Sequence, residues 1–66
     1  MANPETKITA IKLLKNVYSQ FKKISFDSNL SFQKLVNRSM HKYIEDVDFR
    51  NEINNYDKLI ESGSNF

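Results

Sequence analysis

Three residue pairs, Leu35-Val36, Ser39-Met40 and Tyr43-Ile44, recur at intervals of four. Only a helix sets an i, i+1, i+4, i+5, i+8, i+9 pattern on one face. A stripe that wide must be covered by other apolar surface, and the chain has 66 residues with which to cover it. A single core below roughly 70–80 residues supplies about 3–5 kcal/mol unless something staples it. With no cysteine there is neither a disulfide nor a thiolate metal site, and one histidine, His41, is too few for structural zinc. Association with a second chain is the staple that remains.

A first helix is expected before the stripe. Val17, Tyr18, Phe21, Ile24 and Ser25 fall at spacings of three and four. The break between the two helices is "SFDSNLSFQ". Asn29 tolerates the left-handed conformation that ends helices, and Ser31 stands where an N-cap belongs. Lys34 occupies the place of the Glu or Gln of a full capping box. The tail shows a weaker stripe of Phe49, Ile53, Tyr56 and Leu59 or Ile60. It predicts a third helix, capped by Asp46 or Asp48 and ended by Gly63.

The stretch "ITAIKLL", Ile8 to Leu14, reads two ways. As a strand it puts Thr9, Ile11 and Leu13 on one face and Ala10, Lys12 and Leu14 on the other. As a helix it joins Ile11, Leu14, Tyr18 and Phe21 into one stripe. Ile8, Thr9 and Ile11 lean weakly towards strand, and local pattern leaves both readings open.

Charge is divided along the chain. From Met1 to Ile44 eight bases face two acids, a balance of +6; from Glu45 to Phe66 two bases face six acids, a balance of −4. The basic part suits phosphate, and the lysines equally serve to solvate a helical surface. No apolar run reaches secretory length or the roughly 20 residues of a membrane span, so a cytoplasmic location is expected.

The order of features resembles the ribbon-helix-helix family of DNA-binding proteins, the Arc- and CopG-type repressors, over about Lys7 to Ile44. The residues that carry the resemblance are "AIKL" ending at Leu13, the apolar pair Val17-Tyr18 with Phe21 one turn on, the turn Asn29-Leu30-Ser31, and the paired stripe of the second helix. Three positions depart from the family pattern. Leu14 stands where proline or a small capping residue is common, Asn29 replaces a turn glycine, and only Lys12 among Ile8, Ala10 and Lys12 is a polar base reader.

The resemblance implies a mainly α fold with one N-terminal β-strand. Two copies would form a homodimer whose strands pair as an intermolecular two-stranded antiparallel ribbon, with a third, C-terminal helix added. It divides the chain into a flexible N-terminus (1–6), a ribbon-helix-helix domain (7–45) and an acidic helical extension with a frayed end (46–66). The ribbon would enter the major groove of double-stranded DNA. Ile8, Ala10 and Lys12 would then meet bases, Lys12 donating to guanine O6 or N7 and Ala10 touching a thymine methyl. Ser31, Phe32, Lys34 and Lys7 would meet phosphates, the first two at a helix N-terminus. Thr9, Ile11, Leu13, Phe21, Ile24, Leu35, Val36, Met40, Tyr43 and Ile44 would form the dimer core.

The expected function is a sequence-specific transcriptional repressor. The alternatives are an accessory DNA-binding protein of plasmid partition, replication or conjugation, an antitoxin, and a helical protein-interaction module that binds no DNA. A protein partner, or further dimers side by side on DNA, can be received through residues 46–61.

No enzyme is expected. There is no Gly-rich phosphate loop and no cysteine nucleophile, and Ser25, Asp27 and His41 have no spacing logic as a triad. "DVDFRNE" alternates acids like a calcium loop, but it lacks the sixth-position glycine and puts Arg50 where a ligand belongs. No catalytic residue, metal or cofactor is therefore assigned.

Overall fold

The computed structural model describes residues 5–66. Of the expected flexible N-terminus, residues 1–4 lie outside the described residues. Three α-helices follow in order: α1 (Lys15–Ser25), α2 (Phe32–Glu45) and α3 (Val47–Asn54). Short 3-10 turns occupy Phe26–Ser28 and Ile60–Ser62.

The expected N-terminal β-strand, and with it the intermolecular ribbon, is overturned. Among the described residues there is no strand or sheet, and residues 5–14 carry no regular structure. The physical reason is that a strand needs a ladder for its amides and carbonyls. The β-preference of Ile8, Thr9 and Ile11 is a preference for a half-buried pleated surface. Ile8 is fully exposed and Ile11 is 60% exposed, so that surface is missing. The helical alternative for Ile8–Leu14 is not found either, because α1 begins at Lys15 after an extended Leu14 (φ −71°, ψ 117°). Leu14 has no side-chain oxygen with which to cap the helix, and no side-chain cap is made there.

Local chemistry sets the other boundaries. Asn29 takes the left-handed conformation, φ 58° and ψ 24°, and turns the chain after α1. Ser31 caps α2 by accepting from the Lys34 amide at 3.1 Å, a contact worth about 1 kcal/mol. Asp46 caps α3 by accepting from the Phe49 amide at 3.0 Å. The third helix is shorter than its stripe predicts, ending at Asn54 rather than near Gly63. Asn55 still donates its backbone amide to the Asn51 carbonyl at 3.1 Å, but its own backbone has left the helical region (φ −105°, ψ 9°). Gly63, at φ 113°, closes the last 3-10 turn instead.

Packing is local. Among the described residues no Cα–Cα approach within 8 Å joins residues twelve or more positions apart. Tyr18, Phe21 and Phe32 form an aromatic cluster between α1 and the start of α2. The Tyr18 and Phe32 rings meet edge-to-face at 5.8 Å, and Phe21 and Phe32 at 6.3 Å.

At the other end α3 folds against α2. The Arg50 guanidinium donates to the Tyr43 carbonyl at 3.0 Å and the Ile44 carbonyl at 2.8 Å. Asn54 accepts from the Tyr43 hydroxyl at 2.7 Å, and the Lys42 ammonium lies 5.3 Å above the Phe49 ring. Carbonyls at a helix end lack intrahelical donors, and Arg50 supplies them. Arg50→Ala is expected to cost about 1.5–3 kcal/mol, the range for hydrogen bonds to a charged group. The measurement is amide hydrogen exchange across Val47–Asn54, where protection should drop before it drops in α1.

This arrangement leaves the chain without a closed core. Among the described residues none is fully buried. The accessible surface is 6725 Å² for 7.8 kDa, whereas a folded monomer of that mass exposes about 4400 Å². The radius of gyration is 13.9 Å, against about 11 Å for a compact domain of this length. A single copy has the helices of a fold but lacks the interior that would hold them.

Candidate functional site

Two surfaces gather the residues singled out from the sequence. The first is a shallow cleft between the unstructured arm and the aromatic cluster. Lys12, Leu13 and Leu14 line it from the arm, with Val17, Tyr18 and Phe21 of α1 and Phe32 and Leu35 of α2. Leu59 and Phe66 reach it from the tail.

Lys12 and the first residue of α2 thus share one cleft. Helix geometry leaves the opening amides of α2, those of Phe32 and Gln33, without intrahelical acceptors. The helix dipole adds partial positive charge at the same end. Lys34 contributes less to this end than its position suggests, because its ammonium is directed to the Asn29 carbonyl, 3.4 Å away.

The remaining arm residues are not gathered there. Lys7, Ile8, Thr9, Ala10 and Ile11 are all exposed and stand apart from α2. Ser31 is exposed at the cap.

The second surface is a groove between α2 and α3, lined by Ser39, Met40, Tyr43, Ile44, Phe49 and Ile53. It is almost wholly apolar. Met40, Ile44 and Ile53 remain exposed along it.

The residues expected to make a dimer core therefore divide in this single chain. Phe21, Leu35, Val36 and Tyr43 are half-buried. Thr9, Ile11, Leu13, Ile24, Met40 and Ile44 face solvent. Leu13 and Leu35 join the first cleft, and Met40, Tyr43 and Ile44 join the second.

Several participants are absent from the sequence reading. Arg50 organises the α2–α3 corner, although by sequence it serves only to reject a calcium loop. Leu59 and Phe66 line the first cleft from the tail, a placement that periodicity does not signal. His41 is exposed, its Nε2 3.9 Å from Glu45 Oε1. Among the described residues no three His, Cys, Asp or Glu side chains are grouped so as to hold a metal ion. Among them, too, no helix is long and apolar enough to cross a membrane. Compared with protein-family models, with curated proteins and with solved structures, the chain finds no match in any of the three.

Proposed function

We propose that this chain binds double-stranded DNA as a homodimer and represses transcription by occupying an operator. The observation that carries this reading is the neighbourhood of Lys12 and Phe32 in one cleft. A basic arm and a helix N-terminus are two devices by which small proteins hold phosphate, and here residues of both line one cleft. The +6 balance of residues 1–44 supports it by supplying long-range attraction to a polyanion.

The arm acts without a ribbon. Its exposed side chains follow the duplex directly, with Lys12 donating to guanine O6 or N7 and Ile8 and Ala10 giving apolar contact to base edges. Lys7, Lys34 and the opening of α2 at Ser31 and Phe32 take phosphates. The acidic tail is kept off the duplex by charge repulsion. Two copies double every contact and supply the covered surface that one copy lacks.

A gel shift against the duplex just upstream of the coding region, with an unrelated duplex of equal length beside it, tests the reading. The upstream duplex should be retarded at lower protein concentration. Lys12→Ala should weaken it by about 1–3 kcal/mol, the value of one good base contact, and affect the unrelated duplex less. Failure to retard either duplex at low salt would sink the reading. It would leave the rival favoured by the large exposed apolar surface, a protein-interaction module that touches no nucleic acid.

A further inference from the structure

We infer that the α2–α3 groove is the seat for α1 of a second copy of this chain, and that two copies exchange α1 reciprocally about a two-fold axis. The inference rests on the self-association in the function proposed above and adds which faces meet.

The first argument is area. One copy exposes about 2300 Å² more than a folded monomer of its mass. Covering that excess in both copies would bury about 4600 Å² in total, inside the range of about 2000–5000 Å² that obligate dimers bury.

The second argument is matching apolar surface. Val17 and Ile24 lie seven positions apart, on the same edge of α1; Val17 also borders the first cleft and is 44% exposed. Ile24 is 82% exposed, although it belongs to an amphipathic helix. The groove offers Met40, Ile44 and Ile53 as a floor with nothing on it.

Charge is the third argument. α1 carries three lysines and no acid. The walls of the groove, Ser39 to Asn54, carry four acids and two bases; of the bases, Lys42 lies over the Phe49 ring and Arg50 is committed to the α2 carbonyls, so the margin is net acidic. Two α1 helices would repel each other, and so would two groove margins. Only α1 against the groove is complementary. A two-fold axis makes that contact twice, because each copy presents both faces.

The test is sedimentation equilibrium of the full chain with charge-reversed variants, their helicity followed by circular dichroism. Lys22→Glu/Lys23→Glu makes α1 acidic, and Glu45→Lys/Glu52→Lys makes the groove margin basic. Each variant alone should dimerise about tenfold or more weakly than the wild type, since like charges then face each other at both contacts. An equimolar mixture should recover a heterodimer, because both of its contacts pair opposite charges. Ile24→Ser, which changes no charge, should also weaken association about tenfold. A wild-type monomer at high concentration would overturn both this pairing and the homodimer proposed above. A dimeric wild type whose variants stay dimeric, or whose mixture fails to recover, would overturn the pairing alone. Duplex binding by the same samples reports on the DNA reading separately.

Discussion

If the chain binds a duplex as proposed, raising the salt from about 50 to about 200 mM is expected to weaken that binding about a thousandfold. The figure follows from three lysines in each copy, Lys7 and Lys34 on phosphates and Lys12 on a guanine between them, and hence six lysine charges that displace counterions in a dimer. Each contact releases condensed counterions, and six give a log–log slope of about −5. A fourfold rise in salt then costs about three decades of affinity. Lys34→Ala removes two contacts per dimer and should flatten the slope by nearly 2. The opening amides of α2 add affinity without adding to the slope, because they bring no whole charge. A titration at four salt concentrations with one duplex gives the slope directly. A slope near zero would mean that the basic half solvates the chain and does nothing more.

Dilution is expected to unfold the protein. A chain with no fully buried residue among those described would draw its stability from the proposed association, so its thermal midpoint should fall as concentration falls. Each tenfold dilution removes about 1.4 kcal/mol from the association term. Ile44 gives the sharpest contrast. It is 65% exposed in the single chain, and a substitution at so exposed a site ordinarily shifts stability by about 0.5 kcal/mol or less. At the centre of an interface the same change costs about 2 kcal/mol or more. Ile44→Asp should therefore lower the midpoint steeply and leave a chain that is monomeric and poorly helical. Far-UV circular dichroism at two concentrations decides the matter, and a midpoint independent of concentration would contradict the expectation.

What could be read from the sequence was what short-range chemistry controls. Ser31 and Asp46 cap helices because a side-chain oxygen reaches an amide three residues on, and Asn29 turns the chain because its own backbone tolerates a positive φ. These need no knowledge of distant residues. The segment Ile8–Leu14 was not legible for the opposite reason. Its alternation suits a strand, but alternation says nothing about whether a neighbour is there to receive the hydrogen bonds. The end of α3 differs because Gly63 is the conspicuous helix stop, whereas the backbone leaves the helix at Asn55 (φ −105°, ψ 9°), where neither glycine nor proline marks it. The shared cleft of Lys12 and Phe32 joins residues twenty positions apart, and no periodic pattern announces it. Arg50 reaches across a corner to carbonyls six and seven residues back, outside the three-and-four rhythm of a single helix.

Asp46 stands alone between α2 and α3. It ends the first by donating its amide to the Lys42 carbonyl at 2.8 Å and starts the second through its carboxylate. A joint of one residue has no slack. Lengthening it by a single position would rotate everything beyond it by about 100° around the helix axis, carrying Phe49 and Ile53 out of the groove and Arg50 away from its carbonyls. Length at this point is thus as tightly constrained as residue identity, and a variant one residue longer here would lose its rear half while every side chain remained the same.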